Sequence, residues 1–141
     1  MNRSIRVLLV EDNPGDADLT RETLESGKIA LQIDVVTDGA QAIDFLLRRP
    51  PYETARTPDL VLLDLNLPKL SGREVIAEIK RHEHLRVVPI VVLTSSDAEQ
   101  DVVKSYALGA SCYVTKPVGL EAFQAIVRSV QDFWFTVVRL P

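Results

Sequence analysis

The chain has 141 residues, of which 46% are hydrophobic and 26% charged, and a formal net charge of −4. These values are those of one ordinary domain with a single core, so we expect one domain over residues 1–141. The negative charge, without a block of Lys or Arg, argues against a nucleic-acid-binding face. Cys112 is the lone cysteine, and the sequence lacks a signal peptide and an apolar stretch of about 20 residues. We therefore predict a cytoplasmic protein that does not enter a membrane.

Short apolar runs alternate along the chain with segments whose apolar residues have helical spacing. In chain order we predict strand 5–10, helix 16–27, strand 31–36, helix 41–49, strand 60–63, helix 72–85, strand 90–93, helix 98–108, strand 113–114 and helix 120 to about 138. Gly27 and Gly109 are expected to end the first and fourth helices, Ser96 or Asp97 to cap the fourth, and the prolines at 50 and 51 to stop the second. The strands are continuously apolar, which indicates a parallel α/β sheet covered on both faces.

Chemically reactive side chains follow four of the predicted strands. Glu11 and Asp12 follow the first strand, Asp64 the third, Thr94 the fourth and Lys116 the fifth. The carboxyl ends of parallel strands meet at one edge of a sheet, so these side chains should converge there. A buried carboxylate such as Asp64 is unfavourable by several kcal/mol or more unless it is paired or coordinated. The sequence therefore predicts a site at this edge.

Three carboxylates at one edge would repel one another unless a cation joins them. Hard oxygen ligands in small number suit Mg2+, which retains several waters. We expect Asp12 and Asp64 to be direct ligands and Glu11 to bind through water. Lys116 adds a positive charge, and Thr94 adds a hydroxyl. Together with the metal, these groups would form a binding site for a phosphoryl group. The central, isolated Asp64 is the expected nucleophile, and the product is an acyl phosphate.

Four pieces of the sequence, in this order and at strand ends, resemble the receiver domain of the response regulators of two-component signalling. They are Glu11–Asp12, the segment DLNLPKLSG at 64–72, Thr94, and YVTKP at 113–117. The resemblance covers nearly the whole chain. It implies a doubly wound, flavodoxin-like (βα)5 sheet and a phosphoryl group received on Asp64 from a histidine kinase with Mg2+. It also implies a signalling module that assists only its own phosphorylation and dephosphorylation, and is otherwise not an enzyme.

The resemblance also implies roles for individual residues. The backbone carbonyl of Asn66 would be the remaining protein ligand of the metal, and Lys116 would contact the phosphoryl group. Thr94 and Tyr113 resemble the pair that reports phosphorylation, in which the hydroxyl moves toward the phosphate and the ring turns inward. Asn66 and Ser96 occupy positions that tune the lifetime of the phosphoryl group in the family.

Two details of the match concern backbone geometry and ligand type. The peptide bond between Lys116 and Pro117 is expected to be cis. Glu11 stands where the family commonly has a second aspartate, a variation that we expect to leave the site intact.

Two further segments resemble the stand-alone response regulators of bacterial and cyanobacterial phytochrome kinases. They are the insertion RRPPYETARTP at 48–58 and the ending FWFTVVRLP at 133–141. We therefore expect a phytochrome-type kinase as partner. We also expect no output domain after Pro141, so that the output is a protein contact or phosphate passed to another histidine.

The aromatic residues of the C-terminal extension, about 133–141, also predict a contact with another chain. Phe133, Trp134 and Phe135 are consecutive and point in different directions around a helix, so one core cannot bury them all. We expect a homodimer through the face formed by the fourth helix, fifth strand and fifth helix, with these rings in the contact. Plain core packing of the three rings is the alternative.

Two other functions use similar residues. A phosphohydrolase with an aspartyl nucleophile would need an acid two residues after Asp64, where the sequence has Asn66, and an insertion that caps the substrate. A phosphate-independent adaptor would not need the intact set of site residues. Steady turnover of a phosphomonoester would indicate the first alternative, and partner binding that ignores a phosphodonor the second.

Overall fold

The computed structural model of the chain describes residues 4–68, 70–104 and 107–133, with side chains described as far as residue 129. The strands are β1 (Ile5–Val10), β2 (Leu31–Val36), β3 (Leu60–Asp64), β4 (Ile90–Thr94) and β5 (Cys112–Thr115). The helices are α1 (Pro14–Glu25), α2 (Gly39–Leu46), α3 (Gly72–Lys80), α4 (Asp97–Lys104) and α5 (Leu120–Phe133). The strict alternation of strand and helix confirms the predicted order of elements.

The strands form one parallel sheet in the order β2-β1-β3-β4-β5. Val10 pairs with Leu63 in the register of β1 and β3, and Asp64 pairs with Leu93 in that of β3 and β4. From β1 the chain first adds β2 on one side of the sheet and then β3, β4 and β5 on the other side. The strand order therefore reverses between β1 and β3. Ligands bind at such a reversal in open α/β sheets. The doubly wound fold predicted from the sequence is confirmed.

Each face of the sheet is covered by a separate apolar cluster. Leu8 and Leu63 belong to the cluster on the side of α2 and α3, whereas Leu9, Leu62 and Phe123 belong to the cluster on the side of α1 and α5. Both β3 and β4 are buried at all five positions. Burial of a large apolar side chain stabilises the folded state by about 1.5–3 kcal/mol, so these clusters fix the strand ends that carry the site.

Side-chain caps begin the first three helices. The Asn13 side chain accepts a hydrogen bond from the Asp16 N–H, Asp38 accepts one from the Gln41 N–H, and Ser71 forms a capping box with Glu74. Because Asn13 caps α1, this helix starts at Pro14, two residues earlier than predicted. These caps satisfy N–H groups that lack an intrahelical partner.

The predicted ends of α1, α2 and α3 are wrong. The C-cap of α1 is Ser26 and not Gly27. α2 ends at Leu46, before the two prolines, and Arg48 beyond it has a positive φ of 57°. α3 ends at Lys80 and not at residue 85, because the Arg86 Nε donates a hydrogen bond of 2.8 Å to the Lys80 carbonyl and satisfies the end of the helix.

The fourth helix starts at Asp97, one residue before its predicted start, and has one of the two predicted caps. The Ser96 hydroxyl accepts a hydrogen bond of 3.1 Å from the Glu99 N–H, so Ser96 is the cap. The predicted end at residue 108 is too late, because α4 is described as far as Lys104 and residues 107–110 lie outside any helix. Residues 105 and 106 lie outside the described part of the chain. Of the predicted aromatic extension, 134–141 also lies outside it. Within the described ranges, every helix is too short or too polar to cross a membrane.

Candidate functional site

The three predicted carboxylates come together at the carboxyl ends of β1 and β3. Glu11 and Asp12 directly follow β1, and Asp64 is the last residue of β3. One carboxylate oxygen from each of these residues lies within 4.8 Å of those of the other two. This is the edge of the sheet where the strand order reverses. The predicted convergence is therefore present.

Burial differs sharply among the three carboxylates. The Glu11 and Asp64 residues are only 1% and 3% exposed, whereas Asp12 is exposed. The site thus has two carboxylates at its base and one at its opening. Two neighbouring buried carboxylates repel each other, so each requires a positive charge or a hydrogen-bond donor.

Lys116 supplies that positive charge from the end of β5. Its Nζ lies 3.0 Å from Glu11 Oε1 and 3.0 Å from Asp64 Oδ2. A third carboxylate oxygen, Asp16 Oδ2, lies 3.4 Å from the same nitrogen. The Lys116–Pro117 peptide bond is cis, as predicted. A single ammonium group therefore joins two buried carboxylates that lie 105 and 52 residues before it in the sequence.

Asp16 was not among the predicted site residues. The structure places it in the first turn of α1, where the Asn13 cap turns the chain back toward the end of β1. The sequence signal that could have indicated this position is Asn13 before Pro14, a common start of a helix.

The protonation behaviour of Glu11 and Lys116 follows from their burial and their pairing. Burial and the adjacent Asp64 carboxyl raise the pKa of Glu11 to about 7, against the opposing effect of the hydrogen bond from Lys116. For Lys116, burial disfavours the charged form, but the hydrogen bonds to Asp64 and Glu11 outweigh it and raise the pKa above its ordinary value. The ammonium group is thus held protonated, while Glu11 retains a proton more readily than an ordinary carboxyl.

Backbone donors orient the remaining carboxylate oxygens. Asp64 Oδ1 accepts a hydrogen bond of 3.0 Å from the Asn66 N–H, and Glu11 Oε2 accepts one of 3.2 Å from the Asn13 N–H. Both oxygens of Asp64 therefore have a donor, one from the backbone and one from Lys116. This pairing fixes the rotamer of the carboxylate at the centre of the site.

The residues present fit a divalent cation. Glu11, Asp12 and Asp64 carry three negative charges when ionised, against the one positive charge of Lys116. Their oxygens are close enough to share one ion, with water filling the remaining positions. The hard oxygen donor set suits Mg2+ or Mn2+ better than a metal that prefers sulfur or imidazole.

The predicted switch residues lie on neighbouring strands beside the site. Thr94 at the end of β4 is fully buried, and its hydroxyl donates a long hydrogen bond of 3.5 Å to the Val114 carbonyl. Tyr113 on β5 is half-buried and packs against the cluster on the side of α2 and α3. This hydroxyl is thus bonded to β5, and the movement predicted for the pair stays a prediction.

The predicted dimer contacts fall at the edge of the described chain. Phe133 is the last residue of α5, and its side chain lies outside the described part. Trp134 and Phe135 lie wholly outside it.

Comparison with known proteins gives close matches over nearly the whole chain. The family model of the response regulator receiver domain matches residues 7–128. Response regulator Rcp1 of Synechocystis sp. (strain ATCC 27184 / PCC 6803 / Kazusa) is 44% identical over 135 residues, which cover 96% of this chain and 92% of Rcp1.

Solved structures of similar proteins have the same fold. The bacteriophytochrome response regulator AtBRR superposes with a TM-score of 0.84 at 42% identity, over 94% of this chain and 96% of that one. The phosphorylated cyanobacterial phytochrome response regulator RcpA gives a TM-score of 0.75 at 41% identity, over 99% of both chains. The Mn2+-bound form of Rcp1 gives 0.73 at 43% identity, over 97% of this chain and 99% of that one.

The raised pKa of Glu11 predicts a specific dependence of stability on pH. In the unfolded chain this carboxyl loses its proton near the ordinary value of 4.5, but in the folded chain only near 7. Between these values the folded state binds more protons, so the contribution of Glu11 to stability falls as the pH rises. Without divalent cations, we expect Glu11→Gln to be more stable than the original chain above pH 7, by on the order of 1–3 kcal/mol, and the difference to vanish below pH 4.5.

Urea denaturation at a series of pH values measures this difference. Glu22→Gln makes the same chemical change at an exposed position of α1 and should leave the pH dependence unchanged. Equal pH profiles for Glu11→Gln and the original chain would show that Glu11 is not destabilised by its surroundings.

Proposed function

The chain belongs to the response regulator receiver domain family, and we propose that it accepts a phosphoryl group from a histidine kinase on Asp64. One observation carries this assignment of the acceptor. Asp64 is buried, and its Oδ2 lies 3.0 Å from the Lys116 ammonium in the acidic cluster at the strand-order reversal. Among the described residues, no other carboxylate combines these properties and ends a central strand.

The proposed reaction is an in-line transfer between two nucleophiles. An oxygen of the Asp64 carboxylate attacks phosphorus, and an oxygen–phosphorus bond forms. The bond from phosphorus to the imidazole nitrogen of the donor histidine breaks, and its electron pair stays on that nitrogen. The product is an acyl phosphate on Asp64 and a free imidazole on the kinase.

Lys116 is proposed to move its hydrogen bond from the Asp64 carboxylate to a phosphoryl oxygen as the new group arrives. Its raised pKa keeps it a cation, so it can neutralise charge without exchanging a proton. Glu11 and Asp12, with Asp64 and the Asn66 carbonyl, are the proposed holders of Mg2+. When bound, this ion would neutralise further charge on the phosphoryl oxygens.

The signal is proposed to leave the site through Thr94 and Tyr113. The Thr94 hydroxyl now bonds to the Val114 carbonyl at 3.5 Å, which is a weak contact that can be exchanged for a phosphoryl oxygen. Tyr113 lies on the neighbouring strand, two residues before Thr115, the register partner of Thr94, and its ring is proposed to turn into the space that the hydroxyl would leave. The protein would then act by altered contacts with other proteins.

A phytochrome-type histidine kinase is the proposed donor. The support is the similarity to response regulators whose names link them to phytochromes, AtBRR and RcpA. A cytoplasmic location belongs to the same proposal, and the free thiol of Cys112 is compatible with it.

The decisive experiment is phosphorylation by purified kinases and by a small phosphodonor. We expect one phosphoryl group per chain in the presence of Mg2+ and none on Asp64→Asn, because the amide cannot form an acyl phosphate. Asp59→Asn changes another buried carboxylate and should still be labelled. A phytochrome kinase should donate faster than unrelated histidine kinases in the panel.

Two results would contradict the proposal. Labelling of Asp64→Asn would place the acceptor elsewhere. Steady release of phosphate from a phosphomonoester would favour the phosphohydrolase alternative.

A homodimer through the face of α4, β5 and α5 is the proposed assembly, with the aromatic tail in the contact. Changing Phe133 and Trp134 to polar residues should give a monomer, as measured by light scattering after gel filtration, because large apolar side chains dominate such contacts. A variant that stays dimeric would exclude the tail as the contact.

A further inference from the structure

One side chain of α4 joins the two loops that flank the site. Glu99 Oε2 accepts a hydrogen bond of 3.0 Å from the Asn66 side-chain amide, which belongs to the loop between β3 and α3. Glu99 Oε1 accepts a bond of 2.8 Å from the Ser95 N–H, which belongs to the loop between β4 and α4. A single carboxylate thus joins the segments around Asn66 and Ser95, which are 29 residues apart in the sequence.

Both tied segments are adjacent to the residues of the proposed reaction. The Asn66 N–H donates to Asp64 Oδ1 at 3.0 Å, so Glu99 is linked to the acceptor carboxylate through one residue. Ser95 directly follows Thr94, whose hydroxyl is bonded to β5. A shift of the Thr94 segment toward Asp64 would therefore strain or break the bond between the Ser95 N–H and Glu99.

The position of Glu99 is well fixed. Its N–H donates to the Ser96 hydroxyl at 3.1 Å, and the residue is half-buried in the first turn of α4. Over residues 4–68, 70–104 and 107–133, no lysine or arginine forms an ion pair with it. Two hydrogen-bond donors from the loops, the Asn66 amide and the Ser95 N–H, stabilise its negative charge at the opening of the site.

We propose that Glu99 is a positioning residue that holds both loops in the unphosphorylated arrangement and slows the gain of a phosphoryl group. The inference rests on the proposed function. Two effects act in the same direction. The arriving group is anionic and is repelled by the carboxylate, and the bonds to Asn66 and Ser95 favour the arrangement in which Thr94 stays turned toward β5.

The test is the rate of labelling by acetyl phosphate in the full chain with Mg2+. Glu99→Gln keeps the length of the side chain and removes the charge, and should be labelled about threefold to tenfold faster than the original chain. Asp101→Asn removes a charge from an exposed position of the same helix and should leave the rate unchanged. Equal rates for Glu99→Gln and Asp101→Asn would overturn the inference.

A second comparison separates positioning from charge alone. In a chain that carries Asn66→Ala, the loops are no longer tied through the amide, so the gain from Glu99→Gln should shrink by at least about half. The same gain in both backgrounds would show that the bridge to Asn66 has no part in the effect, and would overturn the positioning role.

The proposed function is checked separately in the same series. If the original chain is labelled on Asp64 but the Glu99 variants behave as the controls do, the inference alone fails. If the original chain is not labelled on Asp64 at all, the proposed function fails, and the inference fails with it.

Discussion

A single ammonium group shared by two buried carboxylates is the interaction on which the candidate site depends. Lys116 Nζ lies 3.0 Å from both Glu11 and Asp64, and without it two acids would face each other at the base of the site. Lone buried charges are strongly unfavourable, and this pairing stabilises them only in part, as the pKa of Glu11 near 7 indicates. The remaining negative charge would attract a divalent cation, and that cation together with Lys116 would hold the anionic phosphoryl group of the proposed reaction.

The fold delivers this arrangement through the ends of its strands. β1, β3 and β5 place Glu11, Asp64 and Lys116 at one edge, while the buried strands β3 and β4 keep that edge rigid. The backbone N–H groups of Asn13 and Asn66, just after these strands, add donors, and the first turn of α1 adds the Asp16 carboxylate. Rigid strands therefore hold the reactive groups, and the loops between them, which Glu99 joins, are left as the parts that can move.

The sequence was sufficient to predict the sheet and the convergence of Glu11, Asp64 and Lys116 at its edge, because both follow from local patterns. An apolar run followed by Asp64 or by Lys116 is visible without a structure, and parallel strand ends must meet. The contacts of Asp16 and Glu99 could not be predicted, since they depend on where a helix starts and on which rotamer reaches a distant loop. The end of α3 at Lys80 was missed for the same reason, because the side chain that satisfies it comes from Arg86.

The most direct test of the account is the variant Lys116→Gln, compared with Lys104→Gln at an exposed position of α4. Removing the ammonium should strengthen binding of Mg2+, measured by calorimetry, because a cation no longer competes for Glu11 and Asp64. The same change should slow labelling of Asp64 by a small phosphodonor by about 100-fold, since charge on the phosphoryl oxygens loses its partner. Labelling of Lys116→Gln at the original rate would contradict the account.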